Sequence, residues 1–432
     1  MPNKILGFIL LLLSQSVFSA AKIEHWQTTQ GSPVYFVESK GLPMVDIRVV
    51  FDAGSARDED QYGIAALTSI LLKTGTAQWN ADEVAKRFES VGAQFSAGVS
   101  RDMAWVSLRT LTQQNLLQKS LQTLHAILSQ PVFNEADFQR EKQRTLAGLK
   151  HREESPGALA SMAFFKLLYK NHPYAHPASG VIETVSGFLV DDLKAFYKQY
   201  YVASNAMVVI VGDLNKQQAM KVAESLIVDL ATGTKPAALP EVGLPGRAVK
   251  KHIEFPSSQT HVLAGLVGMH RKDPDYFSLY VGNHILGGSG LVSQLAEEVR
   301  EKRGLAYSAY SYFSPLLRKG TFTMGLQTRN DQTAQAIQVM QDTLSHFVEQ
   351  GPTEKELLAA KKNITGGFAL RFDNNRKISS YVSMIGFYQL ALNYLDVFQQ
   401  KIEAVTVESI KDAFSRRVKP ENINIVTVGA SN

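Results

Sequence analysis

"SNAMVVIVGDL", residues 204–214, is an apolar, β-branched run that stops at Gly212. Such a run reads as a buried strand with a turn behind it. Nearly the same pattern returns in "ENINIVTVGAS", residues 421–431, with Gly429 in the place of Gly212. Two further pairs stand at almost the same separation. "FNEADFQREKQRTLAGL" (133–149) is matched by "PTEKELLAAKKNITGGF" (352–368), each opening on a capping residue and acidic residues and continuing in a helical period. "YGIAALTSILLKTGT" from Tyr62 is set against "YVGNHILGGSGLVSQ" from Tyr280. The glycines lie 217 residues apart, Glu135 and Glu354 lie 219 apart, and the tyrosines 218. A near-constant offset predicts a duplicated unit of roughly 215 residues.

Within the first copy, "PVYFVE" and "MVDIRVVFDAG" are β-rich and bounded by Gly or Pro, and a helix is expected over 64–73. "NADEVAKRFESVG" carries Asn80 as N-cap, Glu83 three residues on, and Gly92 just past the end. "AQFSAGV" and "MAWVSLRTL" alternate with period two and read as antiparallel strands. Helices are expected at about 113–129, 134–152, 157–170 and 190–200, before the strand 206–211. Strands, a helical cluster and a returning strand imply an α+β class, with two homologous α/β sandwich domains, each an antiparallel sheet with helices on one side. The expected divisions are 22–230 and 252–432, joined by a Pro- and Gly-rich linker at 231–251, "ATGTKPAALPEVGLPGRAVKK".

The N-terminus reads as an export signal over residues 1–21. Lys4 precedes the apolar "ILGFILLLL", and "SQSVFSAAK" offers cleavage after Ser19 or Ala21. The apolar run is short for a bilayer span, so no stable membrane span is expected after cleavage. The expectation is an exported protein, periplasmic in a Gram-negative cell. There is no Cys, which excludes disulfides and a lipid-modified cysteine. A net charge of +5 spread without basic blocks argues against a nucleic-acid partner.

The stretch "QYGIAALTSILLKTGTAQ" (61–78), the "AGS" before it and the "NHPYAHPASG" loop resemble the pitrilysin family, which includes mitochondrial processing peptidase and insulin-degrading enzyme. The resemblance covers nearly all of the chain after the signal and implies a clamshell of the two domains. Active members carry H-x-x-E-H on this helix. Its two His reach one Zn²⁺ from a single helical face, with Glu beside the bound water. With Gly63 and Gly75-Thr76 as anchors, those positions fall on Ala66, Ser69 and Ile70. The third ligand, seven residues after a supporting Glu matched by Glu141, falls on Gly148. These four side chains cannot jointly hold zinc, and no H-x-x-E-H or H-E-x-x-H occurs in the chain. No cofactor is therefore expected in this chain. His172 and His176 are interrupted by Pro173 and read as parts of a structural loop, and His151 as a solvated residue. Ser69 has no base near it in sequence, and "GGSG" (287–290) lacks the Lys of a P-loop.

The second half keeps what the first has lost. In "VREKRGLAYSAYSYF" (299–313), Arg300 and Tyr307 match the family's peptide-contacting Arg and Tyr, seven residues apart. Gly287, Gly288 and Gly290 match a Gly-rich, flexible loop, and Ser96, Ala97, Gly98 and Val99 match the edge strand to which substrate can add. The resemblance thus implies the non-catalytic, substrate-binding subunit of a heterodimeric zinc endopeptidase. A homologous H-x-x-E-H partner would supply the zinc, and a peptide or unfolded protein would be the substrate. The competing expectation is a peptide-binding protein without proteolysis, alone or as a homodimer. An autonomous hydrolase ranks third, given the missing ligands.

Overall fold

The computed structural model describes residues 22–243 and 246–431; the expected export signal lies outside the described residues. The first half contains strands β1 (Glu24–Gln27), β2 (Pro33–Glu38), β3 (Met44–Phe51), β4 (Gln94–Val99), β5 (Ala104–Leu111) and β6 (Ala206–Gly212). Its helices are α1 (Ile64–Leu71), α2 (Ala81–Glu89), α3 (Gln114–Ser129), α4 (Glu135–Glu153), α5 (Pro156–Tyr169), α6 (Ile182–Val185), α7 (Val190–Tyr200) and α8 (Lys216–Ile227). The second half contains β7 (Lys250–Glu254), β8 (Gln259–Val267), β9 (Ala306–Ser314), β10 (Thr321–Arg329) and β11 (Asn424–Gly429). Its helices are α9 (Tyr276–Asn283), α10 (Gln294–Ala296), α11 (Thr333–Gln350), α12 (Glu354–Gly366), α13 (Asn375–Phe387), α14 (Tyr394–Glu403) and α15 (Val407–Arg417).

The duplication is visible in the sheets. The first runs β1-β2-β6-β3-β5-β4 and the second β7-β11-β8-β10-β9, the same order once β1 is set aside. β6 and β11, which carry the two runs that opened the argument, are interior strands. Each pairs in parallel with one neighbour and antiparallel with the other. They are buried along their whole length, which is why both read as continuous apolar runs rather than alternations. The Tyr62 and Tyr280 pair is not equivalent in the fold: Tyr62 precedes α1, whereas Tyr280 lies inside α9. α9 continues into a π-helical turn at 284–288, so the second half places its helix differently against the same sheet frame.

Local chemistry sets the helix starts. Asn80 and Glu83 form the expected reciprocal cap of α2, and Gly92 beyond it has φ +64°. Asp58 caps α1 from a distance, accepting from the Gly63 and Ala65 N–H groups at 2.7 and 3.1 Å. Gly63 has φ +102°, and a Cβ there would lie 2.9 Å from the Gly180 Cα, so the "NHPYAHPASG" loop is stacked directly on the start of α1. His176 in that loop stacks on Tyr62 at 4.2 Å, and His172 contacts the Pro240 carbonyl at 3.1 Å. Burial pushes the Asp58 carboxyl up to about 8 and His176 down to about 4, so both groups are neutral or nearly so where they meet.

Each half buries one sheet face under its own helices, with cores built on Ile47, Leu67 and Phe138 in the first and Phe322, Phe347 and Phe414 in the second. The other face of each sheet is covered by a helix from the opposite half, which periodicity within one copy could not reveal. α13 lays Ile378, Val382 and Ile385 on Tyr35, Val50 and Val209 of the first sheet. α5 lays Ala160, Phe164 and Leu168 on Val267, Val426 and Val428 of the second. Gly265 on β8 makes room for this crossing, since a Cβ there would sit 2.1 Å from the Phe322 carbonyl oxygen and 2.9 Å from Phe164. Among the described residues between Ile227 and Lys250 there is no helix or strand. Leu239 and Val242 of this stretch are nevertheless buried against α5 and β11.

Candidate functional site

α1 presents Ala66 and Ile70 one turn apart and partly exposed, while Ser69 is buried. α4 packs beside α1. On α4, Glu141 is buried and sits near Arg140 and Arg144, at 3.4 and 3.8 Å. Gly148 is exposed, and a Cβ there would meet open space. Among the described residues, no group of three or more His, Asp or Glu lies together in a way that could hold a metal ion.

The second half brings its expected pair together. Arg300 lies in a π-helical turn at 297–301, and Tyr307 opens β9. The guanidinium sits 5.0 Å from the Tyr307 ring centre, a cation–π contact. Tyr307 is 84% exposed, so it does not serve a core. Leu291 and Val292, at 63% and 84% exposure, stand in the short turn packed beside β9. Sequence reading missed these two; the signal available was a pair of bare apolar residues directly after a Gly-rich run.

The glycines are not a flexible loop. Gly287 and Gly288 belong to the π-helical turn that ends α9, and Gly290 alone takes a left-handed φ of +65°. Gly287 is required by close packing: a Cβ would lie 2.4 Å from the Ser311 backbone nitrogen on β9. All three glycines line a cavity of about 1020 Å³ between the halves, walled by the open part of the first sheet, β9 and α13. Arg300 and Tyr307 lie outside that lining.

Ser96, Ala97, Gly98 and Val99 fall on β4, which pairs with β5 on one side only and ends its sheet. Ala97 and Val99 pack towards the core. Gly98 lies against Trp105, where a Cβ would come within 2.5 Å of the indole. Ser96 lines a second cavity of about 480 Å³ that shares Arg48, Trp105 and Ser380 with the first. The expected contacts therefore form two groups: a half-buried Arg300 with an exposed Tyr307 and an apolar fringe, and two neighbouring interdomain cavities, one reached by the glycines and the other by β4.

The halves are also clasped by one carboxylate. Asp102, in the β4–β5 turn, accepts from the Tyr174 hydroxyl at 2.5 Å, the Leu317 N–H at 2.8 Å and the Tyr388 hydroxyl at 2.9 Å. Tyr174 belongs to the first half and the other two donors to the second. Burial raises the Asp102 carboxyl above its ordinary value despite these donors.

This architecture matches known proteins. The profile of the insulinase family, peptidase family M16, matches residues 34–180, and that of the peptidase M16 inactive domain matches residues 188–364. A crystal structure of a peptidase M16 inactive domain from Pseudomonas fluorescens is 36% identical, with a TM-score of 0.92 over 95% of this chain and 98% of that one. The chain belongs to the M16 peptidase family. The M16 chain is also 27% identical to a non-peptidase homolog, YmxG of Helicobacter pylori, over 95% of this chain and 94% of that protein. It is 26% identical to a Bacillus subtilis protein named as the zinc protease YmxG, over 95% and 98%. No helix among the described residues of this M16 chain is long and apolar enough to cross a membrane.

Proposed function

We propose that this chain is the non-catalytic, peptide-binding member of a divided M16 zinc endopeptidase. Its assignment to an M16 type without its own catalysis is supported by the inactive-domain match and the non-peptidase homolog. The observation that carries the finer reading is the Arg300–Tyr307 pair, held ring to guanidinium with the tyrosine open to solvent, on a chain whose ligand positions are Ala66, Ser69, Ile70 and Gly148. An always-charged donor fork and a directed hydroxyl can polarise a peptide carbonyl or steady its oxyanion. Zinc and the activating Glu would come from a homologous H-x-x-E-H subunit. Leu291 and Val292 suit the surface such a subunit would cover. Export to the periplasm of a Gram-negative cell is part of the same proposal.

The test is to recover the tagged chain from its native extract and identify stoichiometric companions by mass spectrometry. An H-x-x-E-H homologue that cleaves unfolded protein only when reconstituted with this chain supports the proposal. Arg300→Ala should then lower kcat of the pair by about 10²-fold, the scale of one lost oxyanion donor. Recovery of this chain alone, with the homologue present but unbound, overturns the divided enzyme and leaves a peptide-binding protein.

A further inference from the structure

Three arginines face the interdomain cavity from separate segments: Arg48 from β3, Arg271 from the turn after β8, and Arg371 from the turn before α13. Among the described residues, no Asp or Glu lines that cavity. Several other half-enclosed or enclosed guanidinium groups of the fold are paired with carboxylates. Arg57 pairs with Asp52 at 2.6 Å, Arg109 with Asp46 at 2.9 Å, and Arg417 with Asp273 at 2.8 Å. In the cavity the neighbours are aromatic faces instead. Arg48 lies over Trp105 at 4.4 Å, and Arg271 lies 5.3 Å from Tyr388 and 5.9 Å from Tyr276. The Nε atoms of Arg48 and Arg271 have no hydrogen-bond partner. Arg371 donates to neutral groups, the Tyr280 hydroxyl at 2.9 Å and the Tyr381 side chain.

Enclosing a guanidinium without a counter-charge is costly, and a ring face returns only part of that cost. Burial draws Arg48 down to about 10, still charged at neutral pH. The cavity therefore holds positive charge, unused donors and flat apolar walls, and lacks an anion. The arginine fork matches a carboxylate in shape. A second, smaller cavity that reaches Ser96 on the open edge strand shares Arg48, Trp105 and Ser380 with this one. An extended chain fits such a groove, and the open edge strand offers it main-chain hydrogen bonds.

We propose that the interdomain groove binds an acidic segment of an extended peptide, with its carboxylate held by Arg48 and Arg271 and its neighbouring residues packed on Trp105 and Tyr276. The carboxylate is an Asp or Glu side chain or the peptide's C-terminus. This inference rests on the peptide-binding reading above and names the class of peptide.

The test is fluorescence anisotropy of short labelled peptides with the full mature chain. Three versions are compared: acidic, Glu replaced by Gln, and acidic with an amidated C-terminus. The acidic peptide should bind at least about 10-fold more tightly than the Gln version, and Arg48→Gln or Arg271→Gln should each abolish that preference. If amidation rather than Gln substitution removes it, the C-terminus is the carboxylate recognised. Arg48→Gln should unfold at no lower temperature than wild type, because the charge it removes has no partner. Arg48→Lys, which keeps charge and loses the fork, should retain part of the preference. Equal binding of the acidic, Gln-substituted and amidated peptides overturns this inference and leaves the peptide-binding reading standing. Binding of no peptide overturns both. Polyphosphate bound as tightly as the acidic peptide, and displacing it, makes the groove a general anion site and overturns the peptide assignment.

Discussion

Asp102→Ala is expected to loosen the two halves from each other before either unfolds. The carboxylate accepts three hydrogen bonds, and deleting it removes the acceptor of the Tyr174 and Tyr388 hydroxyls, residues at 0% and 6% exposure. Each orphaned, enclosed donor costs about 1–3 kcal/mol. The third donor, the Leu317 N–H, belongs to a residue at the 36% exposure mark and can turn to water. Against this stands relief from burying a charge. The net cost is expected to be about 2–4 kcal/mol at neutral pH. The sign of the pH dependence follows from the raised carboxyl. The folded state takes up its proton more readily than the unfolded chain, so Asp102 contributes most below the ordinary carboxylate range, and that contribution is lost as pH rises through the folded value. The deficit of Asp102→Asn relative to wild type should therefore be largest in acid and shrink towards neutrality. Calorimetry should show a broadened or split transition in Asp102→Ala, and the cycle with Tyr388→Phe should be non-additive. A loss below about 1 kcal/mol, or strict additivity with Tyr388→Phe, would refute the idea that this carboxylate joins the halves.

Three further outcomes are expected. Phe164→Ala, which empties the contact between α5 and the second sheet, should cost about 3–5 kcal/mol in urea unfolding, and Ile385→Ala on α13 about 2–5 kcal/mol. Gly265→Ala forces a Cβ against the Phe322 carbonyl and should lower stability by about 1–3 kcal/mol or more, read as a drop in melting temperature. Grafting Ala66→His, Ser69→Glu, Ile70→His and Gly148→Glu together should create zinc binding of about micromolar affinity or tighter by calorimetry, absent from the parent; failure to bind would show the register on α1 or α4 to be misplaced.

Much of this fold was legible because its signals are local. β6 and β11 announced themselves as unbroken apolar runs, the Asn80–Glu83 cap fixed α2, and β4 and β5 alternated cleanly. The pairing of Arg300 with Tyr307 was implied by the family resemblance rather than by the residues themselves, and the two side chains lie in direct contact. What stayed hidden depends on long-range placement. Nothing in the spacing of Arg48, Arg271 and Arg371 tells that they meet around one cavity, since they lie in both halves. The glycines of 287–290 read as flexible from composition, yet Gly287 is held by Ser311 on a distant strand. The fringe of Leu291 and Val292 also escaped notice, because exposure of an apolar pair is not a sequence property.

The exchanged helices also dictate an order of events during synthesis. α5 leaves the ribosome well before β8 and long before β11, the two strands that its apolar face covers. β2 and β6, in turn, are complete while α13 has yet to be made. Neither half can finish its core on its own schedule, so the nascent first half carries an uncovered helix and an uncovered sheet face at once. Such an intermediate stays open and dependent on its surroundings until the second half arrives. A chain cut within 231–251 should accordingly yield two pieces that are insoluble when made separately and soluble when made together.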